Sequence, residues 1–143
     1  MVEIGGEVRV KGDGPHGTWS IAIESPDKNE RSVNKVLKLH NIAIATSGDY
    51  RNFFKEGGRI YSHSIDTKTG MPVRHNLTSV SVLMETASLA DSWATALMVI
   101  GGKKSYDYAQ ENDIKAYFIY KQKDEFVIRS TKAFDAYFDK VAK

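Results

Sequence analysis

Apolar and polar residues alternate with period two through most of this chain, and three stretches switch to helical spacing. Val2 to Lys11 alternates as a strand interrupted at Gly5-Gly6, where a side chain would obstruct a close backbone approach. Lys11 to Thr18, with three glycines and Pro15, reads as a loop, Trp19 to Glu24 as a second strand, and Ser25-Pro26-Asp27 to Ser32 as a polar connection. Leu37 to Thr46 predicts one strand covered on both sides, with Leu37, Leu39, Asn41, Ala43 and Ala45 on one face and His40, Ile42 and Ile44 on the other. Tyr50 to Phe54 reads as a short turn or strand and Gly57-Gly58 as a turn. Arg59 to Ile65 predicts a strand leading into a Thr-Lys-Thr-Gly-Met-Pro loop, and Ser79 to Met84 another strand.

Ser88 to Ile100 is the best-marked helix: Ser88 and Asp91 form a capping-box-like pair, apolar residues recur at helical spacing, and Gly101-Gly102 stops it. Ser105 to Asn112 predicts a second helix. Ala116 to Tyr120 and Phe126 to Ser130 predict a hairpin across Lys121 to Glu125. Ala133 to Val141 predicts a terminal helix with Phe134, Tyr137, Phe138 and Val141 inward. Strands in succession with few helices predict an α+β fold, a mostly antiparallel sheet packed with a few helices.

The length of 143 residues suits one domain spanning 1–143 with a sizeable core. The net charge of +2, from 20 basic and 18 acidic residues scattered along the chain, argues against nucleic acid as a partner. No apolar run approaches the roughly eighteen residues of a membrane-spanning helix. With 0 cysteines the chain has no disulfide, thiolate ligand or Cys nucleophile. Gly5-Gly6 is no dinucleotide fingerprint, since neither a third glycine nor a helix follows at the right offset.

Two dense segments carry the candidate chemistry. Asp91 and Thr95 stand at i and i+4 of the predicted helix, so a carboxylate and a hydroxyl can reach one hard cation such as Mg²⁺. Asp91 serves equally well as a first-turn cap, and Thr95 as a buried spacer. Ser47, Gly48, Asp49 and Arg51 make either an anion-facing turn or a tight turn with an internal Asp-Arg ion pair. His63 in Tyr-Ser-His-Ser-Ile-Asp is a candidate acid or base, or a hydrogen-bonded strand residue, with Asp66 three residues on. His16, His40 and His75 lack partner spacing and read as solvated or structural.

Five segments, in order, carry a family likeness. Val2-Glu3-Ile4-Gly5-Gly6-Glu7-Val8-Arg9-Val10-Lys11-Gly12, Trp19 to Glu24, Ala45 to Phe54, Tyr61 to Pro72 and Ser81 to Gly101 resemble the C-terminal half of the ApbE-type FAD:protein FMN transferases. The resemblance implies Mg²⁺-dependent transfer of FMN from FAD to a Thr or Ser hydroxyl of an acceptor protein. It implies Asp91 and Thr95 as metal ligands, His63 and Asp66 as catalytic candidates, and His63 and Ile65 beside the flavin nucleotide. Ser47, Asp49 and Arg51 would sit at the edge of the site. The family's His-x-Ile-Asp-Pro motif has Thr67 in place of its proline here, which predicts a looser turn after Asp66.

Members of that family are typically exported lipoproteins, so the resemblance implies a periplasmic or inner-membrane-anchored whole protein. This chain would need the missing N-terminal half to complete its site, as an engineered truncation, a proteolytic fragment or a short paralogue. Two other classes stay open: an FAD pyrophosphatase yielding FMN and AMP, and a non-catalytic flavin-binding module.

Overall fold

The computed structural model describes residues 1–26, 32–48, 53–56, 59–62 and 65–141, with side chains of 53–56, 59–62 and 140–141 outside the description. Its elements run β1 (Val2–Ile4), β2 (Glu7–Arg9), β3 (Trp19–Glu24), β4 (Val33–Leu39), β5 (Ala43–Gly48), β6 (Phe53–Glu56), β7 (Arg59–Ser62), β8 (Leu77–Met84), α1 (Ala87–Ile100), α2 (Gly102–Glu111), β9 (Lys115–Gln122), β10 (Glu125–Ser130) and α3 (Lys132–Val141). Among the described residues one sheet has the order β1-β2-β5-β8-β9-β10, every pairing antiparallel, beside the ribbons β3-β4 and β6-β7. The α+β class and antiparallel sheet expected from the sequence are the architecture found.

The sheet is covered on both faces, which is why β8 is buried along nearly its whole length. On one face, Val80, Val82, Phe118 and Tyr120 pack with Leu97 and Met98 of α1 and Ala109 of α2. On the other, Val8, Ile44, Leu83, Tyr117 and Ile119 pack with Ile23, Leu37 and Leu39 of the β3-β4 ribbon and Phe134 of α3. Helix α3 is inward as expected, with Phe134 fully buried and Tyr137 and Phe138 packed against this core.

Several expected elements change in detail. The strand expected over Leu37 to Thr46 is two strands in different layers, broken where Asn41 adopts a φ of 52°. That corner inverts the alternation: Leu37 and Leu39 join Ile44 in one core, while Ala43 and Ala45 meet Ala90 of α1 on the opposite face. The corner is fastened from two sides. His40 donates its N–H to the Tyr137 hydroxyl, which donates to the His40 carbonyl, each at 3.0 Å. The Asn41 side chain accepts from the Gly12 N–H at 2.7 Å.

Val2 to Lys11 is a tight hairpin rather than one interrupted strand. Gly5 and Gly6 are required by φ values of 68° and 110°, and no atom stands within 4 Å of a Cβ at Gly6, so close backbone approach is not the cause there. Strand β7 spans Arg59–Ser62, residues 63 and 64 lie outside the described residues, and Ile65 forms an isolated bridge with Pro72. The last hairpin is longer than expected, with only Lys123 and Asp124 between its strands. The second helix starts directly at Gly102, so Gly101 both ends α1 and precedes α2.

Helix α1 is capped by Thr86, whose Oγ1 accepts from the Leu89 N–H at 3.2 Å, which corrects the expected Ser88-Asp91 capping pair. Asp91 lies beyond the first turn, where it caps nothing.

Tyr120 ties β9 to the α1-α2 junction by donating its hydroxyl to the Gly102 carbonyl at 3.2 Å, and burial pushes its phenol up to about 12. The raised value means that folding favours the neutral phenol. That contribution is complete below the ordinary value near 10 and is lost as the pH rises from about 10 to about 12. Denaturation midpoints measured across this window should fall more steeply for the wild type than for Tyr120→Phe, which has no proton to lose; parallel curves would contradict the assignment.

Candidate active site

The site forms where the sheet is left open. Strand β2 pairs with β5 only at Ala43 and Ile44, so from Ala45 onward that edge of β5 has no paired strand among the described residues. A cleft of about 710 Å³ wraps around this edge. It is walled by the β1-β2 hairpin and by Ser20 to Glu24 of β3, and closed below by α1. Thr46 and Ser47 point to opposite faces of the sheet, as successive strand residues must, so the cleft reaches both. Thr46 bonds the buried Ser81 hydroxyl at 2.7 Å, on the ribbon side, while Ser47 turns toward α1.

Helix α1 buries Ala90, Ala94, Leu97 and Met98 at i, i+4, i+7 and i+8. Asp91 and Thr95 each stand one residue past a buried alanine, so they lie on the rim of that stripe, exposed and lining the cleft. The Ser47 and Thr95 hydroxyls share a hydrogen bond of 3.3 Å across the β5-α1 gap. The structure thus brings together three residues singled out in the sequence, Ser47, Asp91 and Thr95.

This donor set is hard oxygen, one carboxylate with hydroxyls, which suits Mg²⁺ better than a soft or imidazole-preferring metal. Among the described residues no three His, Asp or Glu side chains converge as a protein-made cage. The fit is to a cation that completes its shell with water and phosphate oxygens. Glu3 and Glu7 of the hairpin also line the cleft, and the sequence pattern did not single them out. The available signal was the Gly5-Gly6 turn, which folds β1 back on β2 and sets Glu3 opposite Val8 and Glu7 opposite Ile4, one carboxylate on each face of the hairpin.

Ile65 and Asp66 are placed elsewhere. Asp66 closes the turn that follows it: its carbonyl accepts from Gly70 N–H at 2.8 Å, its N–H donates to Met71 at 2.9 Å, and its Oδ1 accepts from Lys68 N–H at 2.9 Å. The Lys68 N–H holds the carboxyl below the usual range of an exposed aspartate. These bonds hold the turn without the proline that Thr67 replaces. Asp66 lines a second groove of about 640 Å³, with Arg74, His75, Lys103 and Lys104, and not the cleft of Asp91 and Thr95. Ile65, 45% exposed, is adjacent to it in sequence. Asp49, Arg51 and His63 lie outside the described residues.

A six-stranded antiparallel sheet whose open edge meets a helix bearing Asp-x-x-x-Thr defines a class, and the comparisons agree with it. The ApbE family model matches residues 1–118, and the chain belongs to the ApbE family. It is 45% identical over 136 residues to the FAD:protein FMN transferase of Haemophilus influenzae, covering 94% of this chain and 39% of that protein. Against the FAD:protein FMN transferase of Vibrio cholerae it is 43% identical over 141 residues, covering 98% and 42%. Among solved structures it is similar to the flavin transferase ApbE from Vibrio cholerae, with TM-score 0.81 and 42% identity over 94% of this chain and 42% of that one. The apo flavinyl transferase ApbE of Pseudomonas stutzeri gives TM-score 0.79 at 41% identity, with the same coverage. The chain spans about two fifths of the length of these relatives.

Proposed function

We propose that this chain is the metal- and phosphate-holding part of a flavin transferase that moves FMN from FAD to a Thr or Ser hydroxyl of an acceptor protein, with AMP leaving. The observation that carries the reading is the Ser47-Thr95-Asp91 group on the open edge of β5, in a family whose curated relatives carry the name FAD:protein FMN transferase. Asp91 and Thr95 would hold Mg²⁺, and Ser47 steadies the Thr95 hydroxyl by sharing a hydrogen bond with it. A Mg²⁺ ion held there would supply neutralisation of the pyrophosphate charge. Exposed backbone of β5 offers further donors beside the phosphates.

In this reading His63 is the acid-base candidate, Ile65 lies against the flavin, Asp49 and Arg51 flank the acceptor side, and Asp66, in the second groove, shapes the turn that follows His63 and Ile65. The longer protein works in the periplasm, anchored at the inner membrane, which fractionation of cells producing it would test.

The test of activity uses the longer protein carrying this chain, FAD, Mg²⁺ and an acceptor with one reactive threonine. The acceptor should gain the mass of one FMN phosphoester with stoichiometric AMP. Free FMN with an unlabelled acceptor would show a hydrolase instead. The 143-residue chain alone should be inactive until the rest of the enzyme is supplied in trans, because it spans about two fifths of its relatives' length and the described residues wall the cleft on only part of its circumference; robust labelling by the chain alone would contradict this.

A further inference from the structure

Strand β10 is the far edge of the sheet, remote in strand order from the β1-β2-β5 cleft, and its charges, Glu125 and Arg129, flank an apolar centre rather than interrupting it. It is six residues long, regular in its pairing to β9, and without proline or bulge. Three consecutive apolar side chains are presented there: Phe126 is 36% exposed, Val127 38% and Ile128 45%. No strand pairs with its outer edge among the described residues.

The direction of its free backbone groups follows from β9. Lys121 donates its N–H to Asn76, away from β10, while the Ala116 carbonyl accepts from the Thr131 N–H on the β10 side. Backbone direction alternates along a strand, so residues 116, 118, 120 and 122 address β10. Opposite the intervening positions of β9 stand Ile128 at Ile119 and Phe126 at Lys121, and these two turn their N–H and C=O groups outward, whereas the carbonyl of Ser130, opposite Tyr117, already accepts from the Tyr106 hydroxyl at 3.4 Å. Val127, Arg129 and Glu125 bond inward and share the face of α2, where the Arg129 guanidinium lies 3.6 Å over the Tyr106 ring.

We infer that β10 is a self-association surface whose occupant is the β10 of a second copy of this chain, antiparallel across a twofold axis at Val127. The sequence Glu125-Phe126-Val127-Ile128-Arg129 is self-complementary in that register. Phe126 faces Ile128 of the second copy, and their outward N–H and C=O groups form two hydrogen-bonded pairs. Glu125 faces Arg129 of the second copy on the shared α2 face, twice by symmetry. Shifting the centre to Phe126 or Ile128 keeps the backbone groups matched and loses both acid-base pairs. Charge complementarity therefore selects one register and one partner, continuing the sheet through the axis.

The absence of cysteine makes the test direct. The wild-type chain should double its weight-average mass in sedimentation equilibrium as it is concentrated. Val127→Cys should oxidise to a covalent dimer in high yield, because a non-hydrogen-bonded pair brings Cα atoms to about 4.5 Å, within disulfide reach. Ile128→Cys, whose partner is Phe126, should cross-link far less. Glu125→Arg should raise the dimer dissociation constant roughly tenfold or more by setting two pairs of like charges opposite each other. The double exchange Glu125→Arg with Arg129→Glu should recover most of it, an outcome that a generally damaged strand would not give. A wild-type chain that stays monomeric at every concentration, a dimer indifferent to Glu125→Arg, or preferential cross-linking at position 128 would overturn the inference and leave the edge to a different chain.

Discussion

Asp91→Asn will fold as the wild type does and lose the Mg²⁺-dependent part of the stabilisation that FAD confers. The substitution removes a charge and keeps the shape. Asp91 is exposed and Thr86 supplies the helix cap, so the unliganded fold should change by no more than about 0.5 kcal/mol. Ligand linkage behaves differently. FAD with Mg²⁺ at about one hundred times its dissociation constant stabilises the wild type by about 2.7 kcal/mol, and a roughly hundredfold loss of affinity leaves about 0.4 kcal/mol of that. Thermal melts of the longer protein with neither ligand, each alone and both together separate these terms. Equal gains for wild type and variant would remove Asp91 from the metal site.

Gly101→Ala is expected to be markedly destabilising. Gly101 has a φ of 61°, and a Cβ there would stand 1.8 Å from Cδ2 of His75. The imidazole cannot step aside cheaply, because its Nε2 donates to the Met98 carbonyl at 2.7 Å and thereby pins the end of α1. The same junction receives the Ser105 hydroxyl on the Leu97 carbonyl and the Tyr120 hydroxyl on Gly102. Left-handed backbone strain and displacement of a hydrogen-bonded ring add, for a loss of roughly 3 kcal/mol. The denaturant midpoint measures it. Gly102→Ala provides the comparison: its φ of 54° is similar, yet nothing stands within 4 Å of a Cβ, so it should lose only the strain. Equal losses for the two variants would show that the His75 contact is immaterial.

Elements whose burial follows local periodicity are legible in the sequence. Helix α1, the β9-β10 hairpin and the inward side of α3 are set by residues adjacent on one face, and so is the i, i+4 placement of Asp91 and Thr95 on one helix. The break at Asn41 is not legible there, because a polar residue in an alternating run is equally a strand residue until its left-handed backbone is known. The cap of α1 shifts for a similar reason. Ser88 and Thr86 are both hydroxyl residues, and only the Thr86 backbone, extended at φ −125° and ψ 152°, places its oxygen over the Leu89 N–H. The Ser47-Thr95 contact spans 48 positions and depends on strand register, which local pattern cannot supply. Asp66 stands close to His63 in the sequence, but the turn bonds from Lys68, Gly70 and Met71 direct it to a different groove from Asp91.

The corner at His40 and Asn41 joins the β3-β4 ribbon, which walls the cleft through β3, to β5, around whose open edge the cleft wraps. It therefore sets the spacing between ribbon and strand through the chain itself, in addition to their packing. Its fastening comes from Gly12 on one side and from Tyr137, on the helix at the far end of the chain, on the other. The seating of α3 is consequently coupled to the relative placement of the ribbon and β5, although no described residue of α3 lines the cleft.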